Sequence, residues 1–307
     1  MKLKRILLVL LLGIILVCGA ASYLHFWLSR PMGNGPAGPA VSKEAFSKVW
    51  STNEILLVGL GDSVTAGFGA RKGYSYFDRL VANPSDEFED MRGICLKAIF
   101  PNLRYTNLAV SGSTSMEHAE KQVPKLLTVN SNIPAIVVIT SGGNDLIHNY
   151  GHTPPREDAM YGATFEEAKP WIGNFGQRMD SMIQQIEKHF SGNCEIFIAD
   201  IYDPTDGQGD LQRTGLPQWK DAAKILGAYN GVIHDEEKKT SNVHVVNMHE
   251  GFLGHGIHCT QFWAKTYDSN DPHYWYYVNL EDPNERGYDA LRRMFLIKMQ
   301  KAFGPTK

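Results

Sequence analysis

Ser63 is placed to act as a nucleophile. An apolar run from Ile55 to Leu60 breaks into Gly61-Asp62-Ser63, so the serine stands just past the end of an expected buried strand. In an open α/β sheet the carboxyl ends of strands are where catalytic groups collect. A serine there attacks an acyl carbonyl if a base takes its proton and amide hydrogens hold the oxyanion. Two later segments, Asn107-Leu-Ala-Val-Ser-Gly112 and Val138-Ile-Thr-Ser-Gly-Gly-Asn-Asp145, repeat the pattern of apolar strand and small-residue turn. Competing readings of the first segment fail. A dinucleotide fingerprint needs a glycine where Val64 stands, and a P-loop needs Gly-Lys-Ser/Thr. The Gly-x-Ser-x-Gly elbow is excluded by Asp62 and Val64. The plainer alternative is that Asp62 and Ser63 only cap a helix.

The ordered set Gly61-Asp62-Ser63-Val64-Thr65-Ala66-Gly67, Gly112 and Gly142-Gly143-Asn144-Asp145 resembles the SGNH (GDSL) hydrolase superfamily. The resemblance implies an acyl-serine mechanism needing neither metal nor organic cofactor. Its oxyanion hole would be the backbone N–H of Ser63, the backbone N–H of Gly112 and the side-chain amide of Asn144. Gly112 suits that role because glycine allows close backbone approach and positive φ. Asp62, Asp145 and His258 are expected on the substrate side.

The resemblance also sets an expectation the chain breaks. In Asn279-Leu-Glu-Asp282-Pro-Asn-Glu-Arg-Gly-Tyr288, Asp282 stands where the base histidine is expected and Asn279 where its aspartate is expected. A free aspartate, with a reference pKa of ~3.9, is a poor base for a hydroxyl at neutral pH. No histidine follows His273, in Asp271-Pro-His-Tyr-Trp-Tyr-Tyr277. The expected triad is therefore Ser63–His273–Asp271, with Asp268 as alternative carboxylate and His255 and His258 as rival bases. His244, His249, His255 and His258 match no metal-ligand frame, so no metal is expected.

The elements that must hold these residues are legible as strand-like runs at 54–60, 104–109, 135–140, 195–201 and 243–247, alternating with helical patterns at 114–127, 165–190, 216–238 and 284–302. That alternation predicts an α/β fold: a three-layer α/β/α sandwich with a central parallel five-stranded sheet, flavodoxin-like in outline. Ahead of it, Lys2, Lys4 and Arg5 precede Ile6 to Leu24, an uncharged stretch of about 19 residues, close to the ~20 that cross a bilayer. Residues 1–29 are expected to be a signal peptide or membrane anchor, 30–45 a Pro/Gly-rich linker and 46–307 an exported hydrolase domain.

The net charge of -3 offers no basic field for nucleic acid. Four cysteines, with no Cys-x-x-Cys, allow at most one disulfide, Cys259 with Cys95 or Cys194. Trp171, Trp219, Phe262, Trp263 and Tyr274 to Tyr277 are candidate aromatic walls for a cleft, and the loop Asp203 to Asp210 reads as a polar turn. The expected partner is a small-molecule, lipid or carbohydrate ester, with the membrane met through the N-terminal segment. Loss of the base would leave a ligand-binding protein, and a different acceptor would make an acyltransferase.

Overall fold

The computed structural model describes residues 2–128, 130–191 and 193–303. Five strands, β1 (Ile55–Gly61), β2 (Leu103–Asn107), β3 (Ala135–Thr140), β4 (Cys194–Ala199) and β5 (Val243–Val246), form one parallel sheet in the order β2-β1-β3-β4-β5. The central strands are apolar on both faces because both are covered. Leu57, Ile136, Val138 and Phe197 pack into one core, while Leu56, Val58, Val137 and Ile198 pack into the other. Gly61 pairs in register with Thr140, so the turns after β1 and β3 leave the sheet side by side.

The first helix, α1 (Lys2–Tyr23), continues through a π-helical turn to Leu28, and residues 3–25 are exposed. Helix α2 (Ser63–Ala66) follows β1 directly. Helices α3 (Tyr76–Val81) and α4 (Gly143–Ile147) are short. Helix α5 (Phe165–His189) opens on a capping box between Thr164 and Glu167 and buries Phe175, Met179, Ile183 and Ile186. Helix α6 (Ala222–Lys239) starts later than its periodicity predicts, because the indole of Trp219 is tied to Ala163 O at 2.7 Å in the preceding loop. Helix α7 (Glu285–Phe303) closes the other face.

Three sequence expectations differ from the structure. The predicted helix 114–127 is broken into a helical turn, a π-helical turn at His118–Gln122 and a 3-10 segment. Pro124 lacks the N–H a regular helix would use, and the π turn points His118 and Gln122 inward. The Pro/Gly-rich segment after α1 is no free spacer either. Arg286 Nη1 donates to Asn34 O and Gly35 O at 3.0 and 2.8 Å, and Ala37 N to Asp289 Oδ2 at 3.1 Å. Gly38 lies so close to α7 that a Cβ would stand 2.6 Å from Ala290 Cα. The disulfide expectation is also overturned. All four cysteines are free, with Cys194 in one core and Cys259 in the other, on opposite faces of the sheet.

A buried ionic cluster fastens α7. Asp289 accepts from Arg292 Nε at 2.8 Å and Arg293 Nε at 3.1 Å, and Glu87 accepts from Arg292 Nη1 at 2.6 Å and Arg79 Nη2 at 3.0 Å. Asp289→Ala would leave buried guanidinium groups short of an acceptor, at a cost of about 3–5 kcal/mol. Denaturant unfolding should show that loss. A change within ~0.5 kcal/mol would mean that water or neighbours replace the carboxylate.

Candidate active site

Ser63 opens α2 at the carboxyl end of β1, and Asp62 caps the helix by accepting from Val64 N at 3.1 Å. Thr140 Oγ1, at the end of β3, donates to the same carboxylate at 2.6 Å. Burial pushes the Asp62 carboxyl up to about 6 against these two hydrogen bonds, which pull it down. Asp62 is thus spent on holding the turn, although it does border the cavity that Ser63 faces.

The loop after β2 is pinned to the same edge. Val110 N donates to Gly61 O at 3.0 Å, and Gln122 brackets Gly61 from both sides, accepting from its N–H at 2.8 Å and donating to its carbonyl at 2.7 Å. Gly112 is exposed on this loop with φ 81°, which a side chain resists. Asn144 on α4 donates from Nδ2 to Ser113 O at 2.9 Å, which orients its amide beside the loop. Ser63 and Asn144 line one cavity of about 350 Å³. Gly112 is not in that lining, but its neighbour Ser113 is what Asn144 holds.

His118 is a residue the sequence reading missed. Its Nε2 lies 2.8 Å from Ser113 Oγ and its Nδ1 2.9 Å from Ser141 Oγ, so it bridges the loops after β2 and β3. Burial lowers its pKa to about 4, keeping it neutral. The spacing Ser113 to His118 was visible, but nothing in it announced a π turn.

Four assigned residues lie elsewhere. Asp145 is fully buried, accepting from Ser115 N at 2.9 Å and Ser115 Oγ at 2.6 Å, so it holds the loop rather than a substrate. His258 is 1% exposed and bonded through Nε2 to Asp210 at 2.9 Å, outside the lining of the Ser63 cavity. His273 and Asp271 do pair, Nδ1 to Oδ1 at 2.5 Å. They pair in a second cavity, with the imidazole against Gly33 and the carboxylate held by Arg286. His255 stacks on Trp275 and lines that second cavity too, with Asp268 4.0 Å from its Nε2. No histidine lines the Ser63 cavity among the described residues.

The carboxyl whose surroundings include the Ser63 hydroxyl is that of Asp282, which lies next to the cavity lining of Asn279 to Glu281 but is not itself part of it. Its carboxyl is buried, and burial raises its pKa above the ordinary carboxylate value. The approach of the Ser63 hydroxyl and a 2.7 Å hydrogen bond from Asn279 Nδ2 to Oδ2 pull it partly back. Oδ1 has no hydrogen-bond partner among the described residues, which leaves its acceptor lone pairs unfilled.

The turn carrying the pair is specified by its own hydrogen bonds. Asn279 Oδ1 accepts from Glu281 N and Asp282 N, both at 3.3 Å, and Tyr277 N donates to Asp282 O at 2.7 Å. Leu280 within it has φ 67°, a strained backbone for a branched side chain. Glu281, on the cavity rim, has its carboxyl pushed up to about 7 by burial and then by the Asp282 charge.

The rest of the cavity is mainly apolar, with Asp200, Asp203, Thr205 and Thr214 also in its lining. Its walls include Leu146, Ile147, Tyr150, Leu216, Trp219 and Leu226, from α4, the loop beyond it and the start of α6. Of the aromatic residues expected to wall the cleft, Trp219 does so. Tyr274, Trp275 and Tyr276 are buried in the core, while Phe262 and Trp263 are exposed elsewhere.

A sequence profile of the GDSL-like lipase/acylhydrolase family matches residues 60–290. No protein of curated function matches the chain. Among solved structures, a catalytic mutant of Axe2, an acetylxylan esterase from Geobacillus stearothermophilus, aligns at TM-score 0.51 and 17% identity, covering 84% of this chain and 99% of that one. A member of the lipolytic protein G-D-S-L family from Veillonella parvula DSM 2008 aligns at TM-score 0.46 and 12% identity, over 79% of this chain and 97% of that one. At such identities the first of these speaks for the shared fold alone. With the family profile matched from the end of β1 into α7, the chain belongs to the GDSL-like lipase/acylhydrolase family of ester-hydrolysing enzymes.

Proposed function

We propose that this protein hydrolyses esters of apolar acyl groups through an acyl-Ser63 intermediate, with Asp282 as the proton acceptor in place of a histidine. The observation that carries the reading is a buried Asp282 carboxyl near the Ser63 hydroxyl, with Oδ1 unpartnered among the described residues and Asn279 bonded to Oδ2. Asn279 and Asp282 occupy the two altered positions, and together they supply what a base and its orienting partner supply.

In the first step Ser63 Oγ bonds to the ester carbonyl carbon while its proton passes to Asp282. The carbonyl oxygen becomes an oxyanion facing the Ser63 and Gly112 N–H groups and the free hydrogen of the Asn144 amide. Collapse expels the alcohol, which takes the proton from Asp282. Water then attacks the acyl carbon, giving its proton to Asp282, and the acid leaves as Ser63 Oγ regains that proton. Burial makes this possible by raising the basicity of a group that in water would be too weak. The proposal locates the enzyme in residues 46–307, outside the cytoplasm, with residues 1–29 as the membrane anchor or export segment.

The acyl side follows from the cavity walls. A 350 Å³, mainly apolar space with Leu216, Trp219 and Leu226 among its walls suits a hydrocarbon chain better than an acetyl group. Burying each methylene is worth ~0.8 kcal/mol, or about fourfold in kcat/KM, until the space is full. A series of p-nitrophenyl esters from acetate to decanoate tests this directly. A steep rise followed by a plateau is expected; a series that is flat or falls from acetate would exclude an apolar acyl group.

A further inference from the structure

The exit of α1 is not a bare tether. Phe26 packs edge-on against Phe262 and Trp263, with ring centroids 5.6 and 4.9 Å away, and Trp27 lies 6.1 Å from Trp263. Thr260 Oγ1 and Gln261 Nε2 donate to His25 O and Phe26 O at 3.1 and 2.9 Å. The loop 260–263 is thus docked on the end of an apolar 26-residue helix, Leu3–Leu28. Yet Phe262 and Trp263 remain 63% and 50% exposed. Exposed aromatic rings clustered at the end of a bilayer-length helix match the chemistry of a membrane–water interface, where amphipathic rings settle at headgroup depth.

This cluster is also joined to the Ser63 cavity. Arg213 lies over the Trp27 ring at 3.4 Å, and its neighbours in the chain, Leu211 and Thr214, line the cavity. Asp210 binds both Arg213 Nε at 2.8 Å and His258 Nε2 at 2.9 Å, while Asp206 accepts from Gly254 N, Gly256 N and His258 N, each at 2.8 Å. The cavity wall, loop 203–214, loop 254–263 and the helix end therefore form one bonded unit.

We infer that Phe26, Trp27, Phe262 and Trp263 form a lipid-docking surface. It seats the catalytic domain on the bilayer that holds α1, so that the cavity receives amphiphilic esters from the membrane surface. The docking surface stands on the helix and the aromatic cluster; the source of substrate rests also on the proposed hydrolase activity.

The test uses the full chain reconstituted in phosphatidylcholine vesicles, with and without brominated acyl chains. Bromination should quench tryptophan emission more in the wild type than in Trp263→Phe, because Trp263 lies within reach of the lipid. Equal fractional quenching in both would overturn the docking surface. The Phe262→Ser/Trp263→Ser variant should lose at least tenfold in rate on a long-chain ester held in the vesicles while hydrolysing a soluble butyrate ester at the wild-type rate. An unchanged ratio of the two rates would overturn delivery from the membrane. A wild type inert toward both esters would instead remove the hydrolase reading, and the quenching comparison would still decide the docking surface.

Discussion

Ser63→Ala should abolish covalent acylation and lower kcat by on the order of 10⁶-fold, the scale seen when a serine nucleophile is removed from a cooperating set. The fold should survive it. Ser63 is half-buried, and its backbone, not its hydroxyl, takes part in the α2 hydrogen bonds to Gly67 and Phe68. Thermal unfolding should move by less than the few degrees that ~1 kcal/mol would produce in a protein of this size. Retention of more than a few per cent of the rate would place the nucleophile elsewhere.

Asp282→Asn should be the second most damaging change, lowering kcat/KM by about 10²–10⁴-fold, the span attributed to general-base catalysis. The amide keeps the size of the carboxyl and can still accept from Asn279, but it cannot take a proton. Its effect on stability should have the opposite sign. Burial raises the folded-state pKa of Asp282, so the wild type is favoured when this group is protonated and loses that advantage as pH rises through the folded value. At neutral pH the neutral variant should therefore melt higher than the wild type, and the gap should close at acid pH. The same shift places the acid limb of kcat/KM above ~3.9, the reference value of a free aspartate. A variant both inactive and less stable at neutral pH would point to a structural role for the carboxylate instead.

Much of this site could be read before any coordinates, and the reason is local. Ser63 and Asn144 each follow an apolar strand within a few residues, Gly112 follows the edge strand β2, and parallel strands send their carboxyl ends to one edge. Strand periodicity thus carried position as well as type. His273 and Asp271, two residues apart, are likewise bonded to each other. Their destination was not legible in that spacing, because Arg286 and Gly33, remote in sequence, draw the pair into another cavity.

Asp282 was set aside as a base on its reference pKa alone. Its basicity depends on how deeply a turn is buried, and no residue spacing states burial. The chain did mark the place, since Asn279 and Asp282 kept the separation of the pair they replace. His118 was hidden because a regular helix would have turned it away from Ser113 and Ser141. In the segment after α1, composition could not show that Gly38 meets Ala290 of α7.

The central claim is that the Ser63 proton goes to Asp282 and not to an imidazole. The rate of fluorophosphonate labelling, read by mass spectrometry at Ser63, tests it in the wild type, Asp282→Asn and His273→Ala. Fast labelling is predicted for the wild type and His273→Ala, with labelling slowed at least a hundredfold in Asp282→Asn. Undiminished labelling of Asp282→Asn, together with its loss in His273→Ala, would contradict the account.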